Sequence, residues 1–335
     1  MPSPLPSVAA APEVVTCGES MVVLCPPPPE TLADAERVSV TVGGAESNLA
    51  MSLARLGHRT AWLSRVGADP FGRRVLRHVS AAGVDTALVT VDPDAPTGVY
   101  FKDPHAGGTR VHYYRAGSAA SRLGPEALAD PRLVGARVLH LSGITAALSG
   151  SCRALVADAV HRRPVAGALV SFDVNHRPAL WPARRAAPVL RELADAADLV
   201  FVGRDEAETL WGTPDPAAVR RLLPRPELVV VKDGPIAATA LPRSGAPATV
   251  PAPRVGVVEP VGAGDAFAAG YLSALLRGLG PVPALRLGHL VAAQALASAG
   301  DNAALPARGW FDDLVAAPAT VWSPLDLTDP RYVAG

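Results

Sequence analysis

Cysteine, aromatic side chains and net charge are all scarce in this chain. Its three cysteines, Cys17, Cys25 and Cys152, show neither paired nor metal-ligand spacing, which argues against a disulfide framework and for a reducing compartment, the cytoplasm. The 31 Lys and Arg residues are balanced by 31 Asp and Glu, and no long basic block stands out, so the electrostatic footprint of a nucleic-acid-binding protein is missing. Every apolar run is shorter than the roughly 18 residues of a membrane-crossing helix. Residues 1–12 are rich in Pro, Ser and Ala without a basic head, and read as a flexible tail rather than a signal peptide. No G-x-x-x-x-G-K-[ST] string is present, which argues against a P-loop enzyme.

What is present is hydrophobicity in short, punctuated runs. Hydrophobic residues make up 49% of the 335, enough for a large core. Strand-like runs at 13–23, 60–66, 138–144, 169–174, 198–203 and 228–234 are mostly followed by helical stretches, such as the one that Asp69-Pro70 opens and Gly83 closes. This repetition predicts an α/β fold: a mostly parallel central sheet between two helical layers, spanning 13–320. Helical periodicity is absent from Ala87 to Tyr114, where short β-like pieces appear, Leu88–Val91 among them. With 20–42, the segment 88–118 predicts a small additional sheet that covers the strand ends as a lid.

The richest stretch is Val258-Glu259-Pro260-Val261-Gly262-Ala263-Gly264-Asp265-Ala266-Phe267. Gly262 and Gly264 allow a tight turn in which amides converge, and a helix beginning near Asp265 or Ala266 adds unpaired N–H groups and a positive dipole end. Asp265 sets a carboxylate beside that anion hole, as phosphoryl transfer to an alcohol requires; a plain helix N-cap is the competing reading. A second glycine pair, Gly43-Gly44, precedes Asn48, whose amide offers the donor and acceptor that sugar hydroxyls need. Tyr113 and Arg115 fall on one face of a strand, a pairing suited to an anionic substrate. Asp173, Asn175 and Arg177 recur with period two at a strand end, where either ligand contacts or an Asp173–Arg177 pair would fit. Glu19, Lys232 and Gly234 stand at other strand ends, where open sheets bind ligands, while Asp301 suits a cap or a ligand contact equally. Glu206, in the first turn of a helix, becomes a candidate for the Mg²⁺ water shell once a phosphoryl-transfer site is suspected.

These strings, together with Tyr113-Tyr114-Arg115-Ala116-Gly117-Ser118 and Leu139-His140-Leu141-Ser142-Gly143, resemble the ribokinase-like (PfkB) family of carbohydrate kinases over nearly the whole chain, and within it the branch acting on keto-deoxy sugar acids. The resemblance implies a ribokinase-like three-layer sandwich with a β-sheet lid often used for oligomer contacts, and hence a homo-oligomer. It implies ATP and Mg²⁺, and phosphorylation of the terminal primary hydroxyl of a sugar acid such as 2-keto-3-deoxygluconate. By the same resemblance Asp265 is the general base, and the turn Gly262, Ala263, Gly264 supplies the anion hole. Gly44, Asn48, Tyr100, Tyr113, Arg115, Arg177 and Asp301 hold the sugar, Lys232 and Gly234 lie by the nucleotide, and Glu206 orders Mg²⁺ through water. Three positions depart from the family pattern: Glu259 replaces an Asp, Gly203 an Asn or Ser, and Ala237 a Gly. A neutral-sugar kinase, for fructose or a pentose, and a non-catalytic binding protein on the same fold are the alternatives.

Overall fold

The computed structural model describes residues 11–27, 30–105, 108–298 and 305–329. The strands run β1 (Val14–Cys17), β2 (Met21–Cys25), β3 (Ser39–Gly43), β4 (Thr60–Gly67), β5 (Val89–Asp92), β6 (Val99–His105), β7 (Gly108–Tyr114), β8 (Val138–Ser142), β9 (Leu169–Asp173), β10 (Leu199–Gly203), β11 (Leu228–Asp233), β12 (Ala237–Pro242) and β13 (Ala248–Pro251). The helices are α1 (Ala45–Arg55), α2 (Pro70–Ala81), α3 (Gly143–Leu148), α4 (Gly150–His161), α5 (Ala183–Ala196), α6 (Arg204–Trp211), α7 (Pro216–Leu222), α8 (Ala263–Leu276), α9 (Pro281–Leu296), α10 (Arg308–Ala316) and α11 (Ala319–Trp322).

Nine strands form one sheet in the order β13-β12-β11-β10-β9-β8-β1-β4-β5, parallel from β11 to β5 and antiparallel at the β12–β13 edge. Successive strand residues feed opposite cores, because side chains alternate across a sheet. Val15, Leu139, Val200 and Val229 pack under α4, α5 and α6, whereas Val14, Val138, Phe201 and Val230 pack under α1, α8 and α9. This is the expected three-layer sandwich.

The smaller sheet has the order β3-β2-β6-β7. One of its faces, with Val22 and Val42, packs toward Trp62 and α2; the other presents Met21, Tyr100, Val111 and Tyr113. Two expectations need correction. The single strand over 13–23 is two strands in two sheets, since Gly18-Glu19-Ser20 carries the chain from one to the other. The segment Leu88–Val91 does not join the small sheet: β5 pairs with β4 at the edge of the large one. Of the tail, residues 1–10 lie outside the described residues.

Helix α8 starts at Ala263, two or three residues earlier than expected, because Gly262 caps it in the left-handed conformation at φ 85°. It is apolar almost all round, with Ala266 to Ala274 buried. Gly270 lets it press on α9, where a Cβ would stand 2.5 Å from Leu287 O. The helix that aims the site is therefore itself a core element.

Candidate active site

The carboxyl ends of β9, β10 and β11 and the mouth of α8 open onto one cleft of about 650 Å³, and the small sheet forms its opposite wall. Gly44, Asn48, Tyr100, Tyr113, Arg115, Arg177, Glu206, Lys232, Gly262, Gly264 and Asp265 all line it. Ala263 sits between the two lining glycines as the first residue of α8. Gly234 lies in an exposed turn outside the lining set, and Asp301 falls outside the described residues. The cleft also takes in Glu19, Asp173 and Asn175, offered by the sequence as strand-end contacts, and Lys102, which motif reading missed.

At the mouth of α8 the first intrahelical donor is Ala266 N, bonded to Gly262 O at 2.9 Å. The amides of Ala263, Gly264 and Asp265 precede it and have no partner within the helix. Asp265 is held by two side-chain amides: Asn48 Nδ2 donates to Oδ2 at 3.2 Å, and Asn175 Nδ2 makes a long contact to Oδ1 at 3.5 Å. Withdrawal from bulk water, and then the charge of Asp173, push the Asp265 carboxyl up to about 7, with Arg177 and the Asn48 bond working against them. A helix N-cap it is not, since Gly262 occupies that position. Asn48 Oδ1 is buried without a partner, leaving an acceptor open to a hydroxyl donor.

The period-two reading of Asp173, Asn175 and Arg177 fails as strand geometry, because β9 ends at Asp173 and Asn175 turns to φ 38°. All three still reach the cleft. Asp173 pairs with Lys232, Oδ2 to Nζ at 2.8 Å, rather than with Arg177. Burial lowers the Lys232 ammonium, but Asp173, Glu206 and Asp265 outweigh it and raise the group overall. A Cβ on Gly264 would lie 3.4 Å from Lys232 Nζ, so this cation stands directly beside the amide turn. Glu206 accepts from the N–H groups of His176 and Gly203, and burial, then Asp173, raise its carboxyl. Asp173 Oδ1 remains buried and unpartnered. An orphaned carboxylate oxygen near a second carboxylate fits a hard cation held with its waters.

On the small-sheet wall, Tyr100 pairs with Tyr113 across β6 and β7, with ring centroids 5.5 Å apart. The Arg115 guanidinium stands over the Tyr113 ring at 5.6 Å. Its Nε donates to Glu19 Oε2 at 2.7 Å, and Glu19 also accepts from Ser118. Gly44 must be small: a Cβ there would meet Glu19 O at 2.5 Å.

The pfkB family carbohydrate kinase pattern matches residues 11–308. The chain belongs to that family of kinases. A 2-dehydro-3-deoxygluconokinase of Thermoproteus tenax is 35% identical over 313 residues, which cover 91% of this kinase and 94% of its relative. Among solved structures, a PfkB protein from Polaromonas sp. JS666 is 36% identical with a TM-score of 0.79, covering 87% of this kinase and 97% of that chain. A fructokinase with bound ATP from Xylella fastidiosa is 28% identical with a TM-score of 0.77, covering 86% and 94% respectively. No helix among the described residues is long and apolar enough to cross a membrane.

Proposed function

We propose that this kinase transfers the terminal phosphoryl group of ATP to the primary hydroxyl of 2-dehydro-3-deoxygluconate (2-keto-3-deoxygluconate), with Asp265 as the base and Mg²⁺ as the cation. One observation carries the reading. Asp265, held by two asparagines, lies where the sugar-facing wall meets the unpaired amides of α8. A hydroxyl seated against Asn48 and Tyr100 would reach that carboxylate, and the amides of Ala263, Gly264 and Asp265 would take the charge on the transferred group. The proton passes to Asp265 as the new O–P bond forms; a carboxylate need not deprotonate a free alcohol. Asp173 and Glu206 would hold Mg²⁺ through water, and the cation when bound neutralises phosphate charge. Lys232 adds a fixed positive charge beside the turn. The ATP of the Xylella relative and the acceptor named for the Thermoproteus relative support the choice of donor and acceptor.

Three of the four cations lining the cleft are already matched: Lys102 with Glu259, Arg115 with Glu19 and Lys232 with Asp173. Arg177 has no carboxylate partner among the described residues and donates only to His176 O, which favours it for the acceptor's acid group. ADP should form when the keto-deoxy acid, ATP and Mg²⁺ are all present, in a panel that includes its epimer and fructose. Arg177→Met should then cost about tenfold more on the acid than on a neutral sugar. An equal loss on both, or turnover of neutral sugars alone, would reject an acidic acceptor.

The raised Asp265 carboxyl has a pH signature. A base acts only when ionised, so kcat/KM for the acceptor should fall about tenfold per pH unit below an apparent value of about 7. Rate profiles from pH 5 to 9 (about that span) read this directly. An acid limb in the ordinary carboxylate range would remove Asp265 as the limiting base.

A further inference from the structure

The chain has two lysines, Lys102 and Lys232, and both line the cleft. The reaction above uses Lys232 and leaves Lys102 without a task. Lys102 follows Tyr100 by two on β6, so both side chains leave the small sheet on the cleft side. Its ammonium group lies 2.7 Å from Glu259 Oε2, with the two side chains only 9% and 21% exposed. The other carboxylate oxygen, Oε1, accepts from Val261 N at 3.1 Å. Behind it, the N–H groups of Val258 and Glu259 donate to Leu296 O at the end of α9. Glu259 is thus anchored at its backbone, folded onto its own turn, and tied across the cleft to the small sheet. Three residues later the chain reaches Gly262, the cap of α8.

We propose that the Lys102–Glu259 ion pair is a positioning strut, which couples the sugar-facing sheet to the turn carrying the α8 amides and sets the aim of those amides. This rests on the kinase reading above. The small sheet that supplies Lys102 also supplies Tyr100 and Tyr113, so a sugar seated on that sheet is tied to the phosphate turn by a shielded contact. A misplacement of about 1 Å far from the chemistry costs about 10²-fold in rate, so a contact with this span has leverage. Shielding also makes the pair less sensitive to salt than an exposed one. Glutamate suits the task better than aspartate: with its backbone fixed at Leu296 O, the extra methylene lets one carboxylate serve both Val261 N–H and Lys102.

The test uses the ligand-free full chain and four variants: Lys102→Met, Glu259→Gln, Glu259→Asp and the exchanged pair Lys102→Glu with Glu259→Lys. Amide hydrogen exchange over 259–265 should quicken about fivefold in each single variant and move back toward the parent in the exchanged pair. With ATP and the sugar acid, kcat of the single variants should fall about tenfold while the sugar KM shifts less than about threefold. Parent-like exchange in the single variants, or an exchanged pair no closer to the parent than they are, overturns the strut. A rise in sugar KM that outweighs the fall in kcat also overturns it, because Lys102 would then be holding the sugar itself. The exchange readout needs no turnover. A parent enzyme inactive on every sugar would overturn the acceptor assigned above while the exchange pattern still decides the strut.

Discussion

Replacing Asp265 by Asn is expected to lower kcat by about 10²–10⁴-fold and leave ATP binding close to that of the parent. Asparagine keeps the size of the side chain and an oxygen for Asn48 to donate to, but cannot take a proton. Steady-state rates with calorimetric ATP binding separate the two effects; retained turnover would remove Asp265 from the chemistry. Stability gives a second, independent readout with a defined sign. Burial and Asp173 raise this carboxyl from its ordinary 3.8 to about 7, so ionisation costs the native state stability. That cost is absent below the unfolded value and complete above the folded one. The Asn variant should therefore melt higher than the parent near pH 8 (about one unit above the folded value) and no differently near pH 4 (about the unfolded one). A variant that loses activity while gaining stability marks a residue kept for function rather than for the fold.

Lys232→Met is the second large expected effect. Two losses combine here: a positive charge beside the phosphate turn, and the counter-charge of buried Asp173. Stripping one partner from a shielded pair costs up to about 3 kcal/mol, and the Lys232 side chain, 19% exposed, places this site below the fully buried limit. Loss of one preorganised cation at a transferring phosphoryl group costs about 10²-fold in rate. The expected result is a fall of about 10²-fold in kcat/KM for ATP together with a lower melting temperature. Asp173→Asn distinguishes the roles, because it frees the lysine without removing it. If Lys232 serves only to neutralise Asp173, the double variant should match Asp173→Asn alone in both stability and ATP use. If it also serves the phosphate, stability matches that single variant while ATP use falls further.

The parts of the site legible in the sequence are those in which local backbone chemistry and function coincide. The glycines at 262 and 264 and the carboxylate at 265 announce a turn and a helix start within four positions, and the structure puts all three residues on one cleft. The sandwich was readable for the same reason, since buried parallel strands give apolar runs at regular intervals. Errors arose where apolar character outlasts a strand. Val14 to Leu24 reads as one element because the three residues that change sheets are flanked by apolar runs on both sides. Val89–Asp92 has the β-branched look of the small sheet, yet its partner is set by β4, far away in sequence. Partnership across the fold was the least visible quantity. Nothing local distinguishes Arg177 as Asp173's partner from Lys232, 59 residues away. Lys102 had a usable signal, its two-residue spacing from Tyr100 on one strand, whereas its bond to Glu259, 157 positions away, left none.

The small sheet is stitched together from 21–25, 39–43 and 99–114, and β1, α1, β4, α2 and β5 belong to the stretches before and between them. It is therefore not a cassette. No single cut excises it, and transplanting this sheet into a related enzyme would carry α1, β4, α2 and β5 along with it, including the strand that pairs with β1. If that sheet seats the acceptor as proposed, changes in acceptor preference are open to this scaffold by exchanging side chains on those strands one at a time, and closed to it by swapping the sheet as a unit.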